Sequence, residues 1–98
     1  MKITIKDVEG VEVIVGSRVK VGDSVEVGTV TEITEPDADY DDDAMRAVEY
    51  PPTVKVQFAD GETETLHTYN VTPMTWACYP DGPAEMLYDC DDIEAVKT

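Results

Sequence analysis

An all-β fold is the class this sequence predicts, and three observations predict it. Apolar residues recur at every second position in short runs, Asp-Gly or an isolated glycine separates several of those runs, and prolines bracket the stretch where the alternation lapses. Ninety-eight residues make a single domain, 1–98, which divides into an N-terminal hairpin or extension over 1–21, a central unit over 22–72, and a C-terminal hairpin with a closing strand over 73–98. The expected architecture is a small barrel or a strongly bent antiparallel sheet built from successive hairpins, with an acidic loop or short helix inserted around 35–50. A chain of this size buries roughly 60–65% of the surface it exposes when unfolded, enough for one modest core.

Ile3 and Ile5 lie on one face of the first run, and Val11, Val13 and Val15 on one face of the second. The Asp-Val-Glu-Gly between them carries a glycine able to take positive φ, so the two runs read as a hairpin. Val19 and Val21 continue the alternation up to a turn at Gly22-Asp23. In residues 24–34, Val25, Val27 and Ile33 share one parity and Val30 has the other, which a bulge or kink at Gly28 reconciles.

Residues 32–49 hold eight acids and one base, with Pro36 near the start and Pro51-Pro52 just beyond the end, and they read as an exposed loop. Within it Asp43 is a suitable N-cap for a short helix over 44–49, since Ala, Met and Arg favour helix. Strand character returns with Val54, Val56 and Phe58 facing one way, followed by a turn at Asp60-Gly61 and a return through residues 62–66. This is the clearest hairpin in the chain. A second turns at Asp81-Gly82 and returns through residues 86–90, and residues 91–96 close the fold. The two hairpins align at an offset of 21 through Phe58 and Tyr79, the Asp-Gly pairs, Glu64 and Glu85, and Leu66 and Leu87. Two copies of strand, turn and strand do not make a repeat architecture.

Charge separates the function classes. Of 22 acids and 7 bases, residues 1–23 hold four of each, so residues 24–98 carry the whole net charge of −15. Such a surface repels nucleic acid and anionic membranes, because gripping phosphate requires Lys and Arg to displace counterions. Its expected partner is the basic surface of another protein, with no direct nucleic acid and no membrane. The plainer alternative is that the acidity serves solubility or a salt-rich cytoplasm. No apolar run approaches the length of a membrane helix and the N-terminal residues lack the apolar core of a signal peptide, so the expected location is the cytoplasm. Cys78 and Cys90 fit buried thiols better than a disulfide framework.

Gly28, Thr29, Val30 and Ile33, followed after the acidic insertion by Val54, Val56, Phe58, Asp60 and Gly61, resemble the small SH3-like barrels of the Tudor and KOW type over about residues 22–72. The last residues are also similar to the endings of short acidic bacteriophage proteins. The resemblance implies a binding scaffold, and for a phage-encoded protein a host protein as partner in the host cytoplasm. It departs from KOW barrels that hold nucleic acid, which are basic on the binding face where this chain offers only Lys55. The aromatic cage of chromatin-reading Tudor domains finds candidates in Tyr40, Tyr50, Phe58, Tyr69, Trp76, Tyr79 and Tyr88, but no spacing identifies a cage, and a core or half-buried sheet role suits them better.

Three constellations bear on chemistry. Asp37, Asp39, Asp41 and Asp43 occupy alternate positions as in a calcium loop, but the sixth and twelfth positions are Asp42 and Val48 instead of the Gly and Glu an EF-hand uses. His67, Cys78 and Cys90 match no zinc-ligand spacing and no Cys–His nucleophile pair. No phosphate loop or nucleophile elbow is present. The expectation is a non-enzymatic, cofactor-free interaction module. In it Glu32, Glu35, Asp37, Asp39, Asp41, Asp42 and Asp43 steer the encounter, and Tyr40 and Tyr50 supply anchoring area. Alternatives are a DNA mimic that occupies the nucleic-acid channel of a restriction, CRISPR, repair or transcription protein, a virion or assembly component, and a calcium-binding structural domain.

Overall fold

A computed structural model describes residues 2–72 and 85–96, apart from the side chains of Ala38 and Ala47. These residues form strands and connections, with no helix among them. In chain order the strands are β1 (Lys2–Lys6), β2 (Glu12–Val13), β3 (Arg18–Val21), β4 (Val27–Ile33), β5 (Asp37–Asp41), β6 (Arg46–Tyr50), β7 (Thr53–Gln57), β8 (Thr63–His67), β9 (Tyr69–Asn70), β10 (Glu85–Asp89) and β11 (Ile93–Ala95). They assemble as a sheet of order β2-β1-β10-β9, a second of order β11-β3-β4-β7-β8, and the separate pair β5-β6. The all-β expectation holds. Among the described residues the strands form open sheets and no barrel closes.

The local hairpins follow from alternation and turn chemistry. Val54 and Val56 on β7 are fully buried, and Leu66 on β8 lies opposite Val54. Gly61 takes φ 89°, and the Asp60 carboxylate accepts the Glu62 N–H at 2.9 Å, so the Asp-Gly turn forms as its sequence requires. β1 and β2 also pair as a hairpin, but only Val13 of the second run is buried, whereas Val11 and Val15 are exposed. Residues 91–96 do close the fold, with Ile93 opposite Val21.

Four expectations are corrected. The bulge in β4 falls between Val30 and Glu32, not at Gly28, and it lets Val30 and Ile33 both face the core although their parities differ. Gly28 is needed for another reason: a Cβ there would sit 2.3 Å from Val56 Cγ1. Val25 precedes the strand and is 88% exposed. The helix over 44–49 is instead strand β6, because Asp41, not Asp43, caps the turn, accepting the N–H groups of Asp43 (3.0 Å) and Ala44 (3.2 Å), and Met45 takes φ 52°. Finally, the sheet is not purely antiparallel, since β10 runs parallel to β1 from Lys2 opposite Glu85 to Lys6 opposite Asp89. The outgoing arm of the second hairpin, its Asp81-Gly82 turn, Trp76, Cys78 and Tyr79 lie outside the described residues.

The core joins the two large sheets through Ile5, Val13, Val19, Val30, Val54, Val56, Tyr88, Cys90 and Ile93. One buried carboxylate reinforces that junction. Asp7 Oδ1 accepts the N–H groups of Glu9 (2.9 Å) and Val11 (2.7 Å), which fixes the β1–β2 turn, and Oδ2 accepts the Ala95 N–H at 2.7 Å, from β11 in the other sheet. The neighbouring Val8 N–H donates to Ile93 O at 3.2 Å, joining the turn to β11, and the Cys90 N–H donates to Lys6 O at 2.8 Å, joining the segment after β10 to the end of β1. Charge-assisted hydrogen bonds each contribute about 1.5–3 kcal/mol, and a buried donor left unpaired costs about 1–3 kcal/mol. Asp7→Ala is therefore expected to lower the unfolding free energy by about 3 kcal/mol or more, and Asp7→Asn by less because one acceptor oxygen is kept. Urea denaturation measures both, and equal stability of the alanine variant and the parent would remove Asp7 from this role.

Candidate functional site

The acidic segment is an antiparallel hairpin, in which Asp37 pairs with Tyr50, Asp39 with Val48, Tyr40 with Ala47 and Asp41 with Arg46. Alternation puts Asp37, Asp39 and Asp41 on one face together with Tyr50, Val48 and Arg46, and puts Tyr40 and Glu49 on the other. A hollow of ≈450 Å³ is lined by Asp39, Tyr40, Asp41, Asp42, Asp43, Val48 and Tyr50. Tyr40 and Tyr50 are both more than half exposed.

Glu49 ties this hairpin to the body. Its carboxylate accepts the Tyr88 hydroxyl at 3.0 Å and the Asn70 side-chain amide at 3.2 Å, reaching β10 and β9 of the first sheet. Tyr88 is almost wholly buried. Burial first, and then the hydrogen bond and charge of Glu49, push its phenol up to about 12. Tyr69 on β9 is likewise raised to about 12, chiefly by donating its hydroxyl to the Asp91 carboxylate.

The structure gathers only part of the set chosen from the sequence. Asp37, Asp39, Asp41, Asp42, Asp43 and Tyr50 share the hairpin, whereas Tyr40 stems from its opposite face. Glu32 lies on β4 directly across from Lys55, within the large sheet. Glu35 precedes the hairpin and borders a different groove, which Ile14 and Val15 line. The residues that sequence reasoning missed are Glu49 and that aliphatic pair. Period-two spacing puts Glu49 on the face opposite Val48 and Tyr50, but nothing local marks Tyr88 and Asn70 as its partners.

The four aspartates of the calcium constellation do not converge, and the zinc constellation includes Cys78, which lies outside the described residues. Asp37, Asp39 and Asp41 stand at alternate positions of an extended strand, about 6.8 Å apart along it. Asp41 Oδ1 is already committed to the turn. Among the described residues no three of His, Cys, Asp and Glu converge as metal ligands. Cys90 is a buried free thiol whose Sγ donates to the His67 backbone carbonyl at 3.6 Å, with the His67 side chain exposed on β8. Burial pushes this thiol up to about 11, which leaves it protonated and a poor nucleophile near neutrality.

The chain matches no family model, and neither a curated protein nor a solved structure matches it. Among the described residues no helix is long and apolar enough to cross a membrane.

Two predictions follow from these contacts. Glu49→Ala leaves the buried Tyr88 hydroxyl without its acceptor and is expected to cost about 1–3 kcal/mol, with Glu49→Gln costing less than the alanine change because an acceptor oxygen remains. Urea denaturation reads the stability and amide exchange in residues 37–50 reads the loosening; identical exchange in the parent and the alanine variant would exclude the tether. Raised pKa values in the folded state mean that the neutral groups stabilise it fully below their ordinary values and that this contribution is lost as pH climbs to the folded ones. Stability is therefore expected to fall from pH 9.0 to about 11 through Cys90, and from pH 10.0 to about 12 through Tyr88, as measured by denaturation at stepped alkaline pH.

Proposed function

We propose that this protein is a non-enzymatic interaction module whose β5–β6 hairpin docks on a basic surface of another protein. The observation that carries the reading is the distribution of charge across the strand ladders. Lys2 faces Glu85, Lys6 faces Asp89 and Glu12, Lys20 faces Glu94, Lys55 faces Glu32 and Arg46 faces Asp41, so five of the chain's seven bases lie opposite an acid. Asp39, by contrast, faces Val48, and Asp42 and Asp43 stand at the hairpin tip. The hairpin thereby keeps several unbalanced carboxylates close together, where they steer a cationic partner, and Tyr50 beside them offers amphipathic contact area. The strands that resemble Tudor and KOW barrels, β4, β7 and β8, serve in this reading as the scaffold that presents the hairpin.

A DNA mimic is the second reading, favoured by the carboxylates of β5 at about 6.8 Å intervals, near twice the roughly 3.4 Å charge spacing along a DNA strand. Competition separates the two, because a mimic displaces DNA from its target while a docking module binds with DNA in place.

Capture from cell lysate at low and then high salt identifies the partner. With that partner in hand, changing Asp41, Asp42 and Asp43 together to Asn is expected to slow association about tenfold and to flatten its salt dependence. An unchanged on-rate would reduce the hairpin to a solubility device.

A further inference from the structure

A second surface begins where the hairpin leaves the body. Pro36, one residue before β5, lines an apolar groove of ≈300 Å³ with Ile3, Ile33, Ile14 and Val15, and Glu35 stands at its border. Ile14 and Val15 are 59% and 58% exposed. They are held there by a turn: the Ser17 N–H donates to Ile14 O at 3.0 Å, the Ile14 N–H to Ser17 Oγ at 3.0 Å, and the Gly16 N–H to Val30 O at 2.8 Å, with Gly16 at φ 98°. Turns ordinarily display polar residues. Two β-branched aliphatics displayed on a hydrogen-bonded turn and rimmed by polar groups form a pre-organised contact surface.

The charges around the groove select its occupant. Lys2 and Lys6, at the two ends of β1, are matched across the ladders by Glu85, Asp89 and Glu12. Thr34 is committed to Thr53, through its hydroxyl and through accepting the Thr53 N–H at 2.7 Å. Glu35 is an exposed carboxylate without such a match among the described residues, and the acidic hairpin starts two residues later. A second copy of a chain carrying −15 would bring Glu35 and the hairpin against their own kind, and an anionic membrane is repelled in the same way.

We propose that this groove seats an aliphatic side chain from an extended segment of the partner protein, flanked by Lys or Arg residues that meet Glu35 and run on to the acidic face of the hairpin. The inference rests on the docking reading above and names the chemistry of the partner segment. The groove supplies contact that holds the complex, and the hairpin supplies attraction that forms it.

The test uses the full chain and a short synthetic peptide with one isoleucine flanked by lysines, alongside one peptide with that isoleucine replaced by serine and one with the lysines replaced by glutamine. Ile14→Ser and Val15→Ser change exposed positions, so the variants are expected to fold. Binding of the isoleucine peptide should shift the amide resonances of Ile14, Val15, Ile33 and Glu35. Either groove variant, or the serine peptide, should weaken affinity about tenfold with the salt slope unchanged, as expected for loss of apolar contact. Glu35→Gln, Asp39→Asn and the glutamine peptide should instead reduce the slope. Equal binding of the isoleucine and serine peptides, with no shift at Ile14 or Val15, would overturn the groove while leaving the hairpin reading standing if Asp39→Asn still weakens binding. Weakening by the groove variants alone would uphold the groove and sink the hairpin. Concentration-dependent self-association without peptide, abolished by Val15→Ser, would show that the groove belongs to a second copy and overturn the proposal.

Discussion

The carboxylate of Asp7 sits where three parts of the chain meet: the first strand, the turn that follows it, and the last described strand. Most of the core is valine and isoleucine on short strands, side chains that pack well against a pleated sheet but do not by themselves fix how one sheet is placed on another. A carboxylate that accepts three backbone N–H groups from two directions does fix it, because each oxygen has a narrow range of useful positions. The parallel pairing of β1 with β10 depends on the same junction. It brings together strands from opposite ends of the sequence, and the Cys90 N–H bonded to Lys6 O holds the chain just after β10 beside the start of the Asp7 turn.

Opposing charges across the ladders play a second organising part. Alignment of Lys20 with Glu94 and of Lys55 with Glu32 contributes modestly to stability, since exposed pairs add only about 0.2–1 kcal/mol each. The larger consequence concerns the surface that remains. With most bases set opposite acids inside the sheets, the exposed aspartates of the hairpin keep an unbalanced negative field. Glu49 gives that field a fixed direction, because a hairpin held by a buried tyrosine presents its aspartates in one orientation relative to the body.

How much of this was legible in the sequence divides by range. The β7–β8 hairpin could be read because every determinant is local: alternating Val54 and Val56, an Asp-Gly turn, and Leu66 on the return. The β5–β6 segment reads as loop and helix in sequence because its alternation is between aspartate and other residues, not between apolar and polar, and because Ala44, Met45 and Arg46 favour helix as isolated residues. The side chain of Asp41 overrode that preference. Parity showed that β4 changes face between Val27 and Ile33, but only pairing against Val54 and Val56 places the bulge after Val30. The aspartates of the candidate site were evident from composition. The tie from Glu49 to Tyr88 and Asn70, and the groove beside Ile14 and Val15, join distant segments and leave no mark in local pattern.

The two-stranded β5–β6 sheet has a consequence for the protein's behaviour in a crowded solution. Among the described residues its strands pair only with each other, which leaves backbone donors and acceptors along both borders, the feature by which extended chains recruit further copies of themselves into fibrils. Here any identical neighbour arriving in register would stack Asp37, Asp39 and Asp41 on their own counterparts every ~4.8 Å. Self-templating is therefore opposed by the same side chains that leave the border open to a chain of opposite charge, so the hairpin discriminates kin from stranger without needing a cover.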